Sequence, residues 1–397
     1  MERICPVAAC TGCMACYNSC ARQAIVMEED ECGFRYPVIR QDKCVDCGLC
    51  AIVCPVNNPL KRHASATVFA AYSKDDDDRM SSTSGGAASV LARVTVENGG
   101  VVYGCVQESY RNIRHLRIDR VEQLYCLKGS KYVQSDIGAT FRLVKKDLAD
   151  RRRVLFTGTP CQIAGLHSFL QKDYLDLLTM DLVCHGVPSG RLLREEVQRI
   201  LRKKRLPEGE YRVDFRKKGG HLEDLKYGIF LYDDTSSVFS ADYPHDLYIA
   251  GFMTGLFHRE SCYACPYANP ERVSDITVCD YWGIGESALD TGRGISAMLL
   301  NTEKGIRFFE TCREQLVCEE RKVEEAVCGN GQLQRPSVRD RNYELFRKLY
   351  PSYGFAKAAR CCLLPFYARY YLVDSMKPRL RKVPFVYSTY RLLKKIT

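Results

Sequence analysis

The sequence predicts a small α+β N-terminal domain, an α/β domain with a mostly parallel sheet, and a basic C-terminal extension. Three observations carry this: a duplicated cysteine quartet near the start, a strand–loop–helix alternation across 154–205, and a cationic tail. The 397 residues are 46% hydrophobic and 27% charged, so a sizeable core is expected. The chain is also too long for a single module of about sixty residues.

The quartets come first. Cys10, Cys13, Cys16 and Cys20 recur as Cys44, Cys47, Cys50 and Cys54, both spaced C-x2-C-x2-C-x3-C, the second followed by Pro55. This is the ligand run of a two-cluster ferredoxin, in which the fourth cysteine of each run ligates the other cluster. Cys10, Cys13, Cys16 and Cys54 are therefore assigned to one 4Fe–4S cluster, and Cys44, Cys47, Cys50 and Cys20 to the other. Zinc sites pair two C-x2-C units across a spacer, so a third Cys two residues on fits poorly. Disulfides need an oxidising compartment, and Met1-Glu2-Arg3-Ile4 begins no signal peptide. Ala21 stands where a proline would follow Cys20, which removes no ligand. Segments 24–27 and 36–39 flank an acidic turn and read as a hairpin. The ferredoxin-like domain spans 1–62.

Residues 67–150 follow. A strand at 68–72 runs into Asp75–Asp78, read as a solvated loop. Ser81-Ser82-Thr83-Ser84-Gly85-Gly86 precedes a helix over 87–97, where free N–H groups at a helix start suit phosphate; a plain N-cap with a flexible lead-in is the alternative. A second loop of this kind, Lys128-Gly129-Ser130-Lys131-Tyr132, leads to a helix with Ile137, Phe141, Val144 and Leu148 on one face. Residues 151–330 alternate strand 154–156, helix 161–170, strand 177–183 and helix 189–205, which implies parallel strands. Residues 211–258 are richer in strand, and 260–286 form a cysteine-bearing loop.

Cys161 follows one strand and Cys184 ends the next, so both fall at the carboxyl edge of the sheet, where open α/β proteins bind ligands. A separate C-x2-C, Cys262 and Cys265, completes four ligands for a third 4Fe–4S cluster. The alternatives are a zinc site or redox dithiol for Cys262 and Cys265, and inert burial for Cys161 and Cys184. Cys279 competes as a ligand. Cys5, Cys32, Cys105, Cys126, Cys312, Cys318, Cys328, Cys361 and Cys362 lack ligand spacing and read as packing residues.

Together with the quartets, Ser84-Gly85-Gly86, Gly129-Ser130-Lys131-Tyr132, Thr157-Gly158-Thr159-Pro160-Cys161-Gln162, Cys184-His185-Gly186-Val187-Pro188 and Ser274-Asp275-Ile276 with Asp280-Tyr281-Trp282-Gly283 form an ordered set. Over roughly residues 1–330 this set resembles the coenzyme F420 hydrogenase/dehydrogenase beta-subunit family. The resemblance implies a flavin-binding α/β domain holding FAD, with Ser84, Gly85, Gly86, Gly129, Ser130, Lys131, Tyr132, Gly158 and Thr159 as contacts. Asp275, Asp280 and Trp282 would line the same region, beside the third cluster. Cys279 departs from the glycine more usual there. Gly283-Ile284-Gly285-Glu286-Ser287-Ala288 imitates a dinucleotide fingerprint, but no long apolar strand precedes it.

The expected activity is electron transfer between a ferredoxin-type partner, or reduced coenzyme F420, and a small organic substrate. Lys131 could stabilise an anionic reduced flavin or contact phosphate, and His185 could relay a proton or simply bond the backbone. His221 lies in a basic loop within reach of an anionic substrate. The alternative is an electron-carrier or adaptor subunit with no substrate chemistry of its own; flavin content separates the two. The net charge is +10. Most of it lies in 355–397, with ten Lys or Arg against Asp374 alone. The tail, assigned to 331–397, would meet a membrane surface, an acidic partner, or an apolar face of the body. Nucleic acid is not expected, since no recognition motif accompanies the charge. No apolar run is long enough to span a bilayer, so a cytoplasmic location is expected, in a low-oxygen cell.

Overall fold

The computed structural model describes residues 3–221 and 224–371. In the N-terminal unit α1 (Ala15–Ser19) precedes a hairpin of β1 (Ile25–Glu29) and β2 (Arg35–Ile39), and α2 (Leu49–Ile52) follows. Asp30 shapes the hairpin turn by accepting the N–H groups of Cys32 and Phe34. Each short helix starts from a left-handed residue, Met14 and Gly48, one position after the second cysteine of its quartet.

The body continues with β3 (Thr67–Ser73), α3 (Asp76–Ser81), α4 (Ala87–Glu97), β4 (Val101–Ser109), β5 (Asn112–Ile118) and α5 (Thr140–Ala149). Next come β6 (Val154–Gly158), α6 (Pro160–Leu170), β7 (Leu177–Leu182) and α7 (Gly190–Lys204). A second sheet is formed by β8 (Arg212–Lys217), β9 (Lys226–Tyr232) and β10 (Ser237–Asp242), then α8 (Leu247–Thr254). The chain returns through β11 (Ile276–Asp280), β12 (Ser296–Leu300), α9 (Glu303–Cys312), β13 (Leu316–Arg321), α10 (Val323–Gly329) and α11 (Tyr343–Arg369).

The large sheet has the order β13-β3-β12-β11-β7-β6-β4-β5. Its centre, β11-β7-β6-β4, is parallel, and both flanks are antiparallel. The β-α-β alternation foretold this centre but not the antiparallel flanks: β5 folds back on β4 in a local hairpin, whereas β12 and β13 reach β3 only through tertiary pairing. Strand alternation sets the two faces. Val154 and Phe156 point toward Phe141, Val144, Ile163 and Leu166 of α5 and α6. Leu155 points the other way, toward Val90, Leu91 and Phe309 of α4 and α9. Each such fully buried side chain contributes about 1.5–3 kcal/mol. Cys13, Met14, Ala15 and Val53 join the α5–α6 side, so the N-terminal unit lies on α6.

Two expectations need correction. The acidic run 75–78 is not a solvated loop: Asp75 accepts the N–H of Asp78 and caps α3, and buried Asp78 receives Lys128 and Ser89. The segment assigned to the tail also belongs partly to the body. Phe346, Tyr350, Phe355, Ala358, Ala359, Cys362 and Leu363 of α11 pack into the core beneath α7 and α8. From 372 onward, the basic-tail expectation lies outside the described residues. Among the described residues, no helix is long and apolar enough to cross a membrane.

Candidate redox site

The first quartet is assembled in one place. Cys13 and Cys16 both face Cys10 and Cys54, and burial with these neighbouring charges pushes the Cys13 thiol up to about 12. Cys54 and Cys10 are drawn down to about 6, first by bonds from the Cys5 thiol. Cys5 therefore touches the first quartet, a contact that spacing gave no sign of. In the second quartet Cys50 faces Cys47 and Cys44, and Cys20, Cys44 and Cys50 pack on the same small core. Cys47 is exposed. The second quartet is thus the outer one.

The third quartet is drawn together from three segments. Cys161 sits in the first turn of α6, Cys184 just beyond β7, and Cys262 and Cys265 in the loop before β11. Burial is the main force raising Cys184, and Cys262, Cys161 and Cys265 raise it further. Cys262 is pushed to about 12 and Cys161 to about 11 by burial with the others facing them. Partly buried thiols that oppose one another's ionisation are relieved by a metal that accepts thiolate charge, so this donor set fits an iron–sulfur cluster. Cys279 sits apart in β11, opposite Ala297 and packed with Val183 and Tyr281, and its charged neighbours are Asp280, Arg272 and Asp181.

Cys13 also feels the charge of Cys161, which makes the first and third quartets neighbours. The contact depends on Gly165 of α6, where a Cβ would lie 2.8 Å from the Cβ of Cys13 and 3.0 Å from its Sγ. Gly165→Ala is expected to displace the Cys13 loop and cost about 1–3 kcal/mol. Chemical denaturation would measure the cost, and electron paramagnetic resonance of the reduced protein would show an altered inner-cluster spectrum.

The residues expected at the flavin behave differently from one another. Ser84 donates to the carbonyl of Ile295, and the Gly85 N–H donates to Ser296 Oγ, so both tie α4 to β12. A Cβ on Gly85 would lie 2.4 Å from the Ala71 carbonyl oxygen. Gly86, at φ +85°, starts α4 with no side-chain cap. Gly129 also has φ +85° and opens onto free space. Ser130 follows it in a loop that Lys131 stabilises. The Lys131 amine donates to the carbonyls of Cys126, Leu127 and Lys128, so it braces its own loop, neither a surface lysine nor a free charge. Tyr132 stacks on Phe252 at 4.5 Å and faces Arg216 and Asp280. Gly158 borders His115, and Thr159 caps α6 with its Oγ1 3.2 Å from Cys161 Sγ.

Two residues that the sequence did not single out complete the edge. Arg216, at the end of β8, pairs with Asp280 at 2.7 Å, and its Nε is buried without a partner. Lys218 donates to the carbonyls of Ser84 and Arg79, and burial lowers it to about 8. Exposed His185 faces the same Arg216–Asp280 pair. The cradle therefore has a free helix start, a cation with an unused N–H, and an aromatic wall. These fit a planar, phosphate-bearing ligand such as a flavin dinucleotide.

Beneath this edge, His115 is held between the Thr157 carbonyl at 2.9 Å and Ser135 Oγ at 3.1 Å, and burial lowers it to about 4. The folded state thus resists protonation that the unfolded chain accepts near 6.5. Its contribution is complete above that value and is lost as pH falls toward about 4. Acid titration of unfolding is expected to show up to about 3 kcal/mol lost over this window, and His115→Gln should flatten that slope.

The fold and these thiols define a class: an iron–sulfur oxidoreductase with an N-terminal dicluster unit and an α/β body. Residues 9–58 match the 4Fe–4S dicluster domain, and residues 151–326 match the C-terminal region of the coenzyme F420 hydrogenase/dehydrogenase beta chain. Over those residues the chain is similar to the coenzyme F420 hydrogenase/dehydrogenase beta-subunit family, and its N-terminal part carries a 4Fe–4S dicluster domain. No curated protein matches it. Among solved structures it is similar to a chain of the xenon-derivatised F420-reducing NiFe hydrogenase complex from Methanosarcina barkeri. The two share 16% identity over 76% of this chain and 92% of that one, with a TM-score of 0.44.

Proposed function

We propose that the chain is a flavin- and iron–sulfur-dependent oxidoreductase passing electrons between a ferredoxin-type protein, or reduced coenzyme F420, and a small organic substrate. What supports this reading is that Cys161 and Cys265 pack in one cluster with Cys13, and that Cys161 and Cys184 follow the neighbouring parallel strands β6 and β7 at the sheet edge. The order is then the outer cluster on Cys44, Cys47, Cys50 and Cys20, the inner cluster on Cys10, Cys13, Cys16 and Cys54, the third cluster, and the flavin. Clusters carry single electrons, and FAD supplies the exchange between these and two-electron organic chemistry.

The chain's own groups prepare the edge. Gly86 and the start of α4 offer N–H groups to phosphate, Tyr132 provides a stacking wall, and Arg216 keeps a buried Nε with no protein partner. Asp280 holds the Arg216 guanidinium in place, and Lys218 closes the β8 end over Ser84.

Anaerobic purification followed by iron, sulfide and released flavin per chain tests the reading. About twelve irons with about one FAD is the expected result. About eight irons with no flavin, even after FAD is added back, would overturn it and leave an electron carrier.

A further inference from the structure

Among the described residues three arginines are almost wholly buried: Arg79, Arg259 and Arg272. A buried guanidinium needs a counter-charge. Arg79 faces Asp290 at 3.1 Å, and Arg272 faces Asp181 at 3.0 Å. Among the described residues, Arg259 has no carboxylate partner. Its Nε donates to the Cys10 carbonyl at 2.7 Å, its Nη1 to Gln134 Oε1 at 3.1 Å, and its Nη2 to the Arg35 carbonyl at 2.9 Å. The Tyr36 ring lies 4.3 Å away and the Phe34 ring 5.7 Å. These neutral groups orient the cation but do not neutralise it.

The anions available to it are sulfurs. Nη2 lies 3.8 Å from Cys10 Sγ, in the first quartet. On the side of the third quartet, its backbone carbonyl accepts the Cys262 N–H at 2.9 Å and its own N–H donates to the Val187 carbonyl at 2.9 Å, in the loop just after Cys184. Arg259 is therefore placed between the inner two quartets, and it precedes Cys262 by a single 3-10 turn. In the outer quartet Cys47 is exposed, and Cys44 Sγ lies 3.8 Å from a carboxylate oxygen of Asp46.

We propose that Arg259 is a redox-tuning residue, a fixed counter-cation that raises the reduction potentials of the two inner clusters above that of the outer one. Each transfer adds one electron to a cluster, converting a ferric to a ferrous iron at the expense of the outer cluster. No bond is made or broken and no proton is required. Added negative charge beside a buried cation is favoured, and net charge and hydrogen bonds to the sulfurs set cluster potentials. Electrons then run inward by electrostatics. For Cys161 and Cys262 the inference rests on the three-cluster reading; for Cys10 it needs only the dicluster domain.

Anaerobic potentiometric titration of the holoprotein, followed by electron paramagnetic resonance, tests this on three variants. Arg259→Gln removes the charge. Gln134→Glu keeps Arg259 and its packing but sets a carboxylate against Nη1. Arg259→Lys keeps the charge and loses the fork. The first two are expected to weaken electron binding at the inner clusters, relative to the outer one, by about tenfold or more, about 59 mV for a one-electron couple. Arg259→Lys should retain most of the wild-type ordering. Unchanged inner potentials in either charge variant would overturn the proposal, as would an equal shift in Arg259→Lys. If Arg259→Gln fails to load its clusters, Gln134→Glu decides. An iron content of about eight would remove the third cluster from the functional reading, yet the Cys10 cluster would still report on Arg259.

Discussion

Cys184→Ser is expected to lower iron from about twelve to about eight per chain, because a cubane that loses one of four protein thiolates in a partly buried site is not retained. Cys184 stands just past β7, where burial raises its thiol and Cys262, Cys161 and Cys265 raise it further, as expected of a member of the proposed third quartet. The N-terminal quartets lie across α6 and share no ligand with it, so their spectra should persist. Reduction of an organic substrate by a ferredoxin-type partner should then be abolished, while chemical reductants still reduce the two remaining clusters. Cys279→Ser is the matched control. Cys279 is as deeply set, but its neighbours are Asp280, Arg272 and Asp181, so iron should remain near about twelve. Loss of iron in the Cys279 variant, or retention in the Cys184 variant, would show the ligand set to be wrong.

What the sequence revealed follows the range of each interaction. The N-terminal quartets were legible because the spacing within each run is local. For the proposed third quartet, topology carried the placement of two members: strands that alternate with helices bring the residues after β6 and β7 to one edge, although Cys161 and Cys184 are far apart in sequence. Cys262 and Cys265 could be added by spacing, but only tertiary structure shows Cys279 turned elsewhere. Arg216 and Lys218 were missed because they arrive from a different sheet and meet partners more than sixty residues away. The sequence signals for such contacts were Phe215-Arg216-Lys217-Lys218-Gly219-Gly220, cations followed by glycines at a strand end, and these point equally to a solvated turn. Lys131 shows the reverse error. Its loop resembled an anion site, yet the amine is satisfied by three carbonyls of that same loop. Arg259 was invisible as a special residue, since burial without a carboxylate partner, which sets it apart from Arg79 and Arg272, is a purely tertiary property.

Arg272→Ala should produce a large loss of stability, about 3–5 kcal/mol by chemical denaturation. Arg272 is 1% exposed and Asp181 is fully buried. Beyond their 3.0 Å pair, Arg272 donates to the carbonyls of Tyr267, Asn269 and Leu182 and to Thr277 Oγ1. Thr277 in turn donates to Asp181 Oδ1 at 2.6 Å. The network joins the loop that follows Cys265 to the end of β7 that precedes Cys184, so it fixes the two halves of the third quartet against each other. Removing the cation leaves Asp181 as an uncompensated buried charge, and burial already raises its pKa. The variant's folded state therefore takes up a proton at Asp181 more readily than its unfolded state does. For a carboxyl with a raised folded pKa, stability is greatest at low pH and falls as pH rises, so the deficit of Arg272→Ala should shrink as pH is lowered. A second substitution, Asp181→Asn, removes the orphaned charge and should recover part of the loss. If the double variant is as unstable as the sum of the two single ones, the pair is not coupled, and the third quartet must be held by its backbone alone.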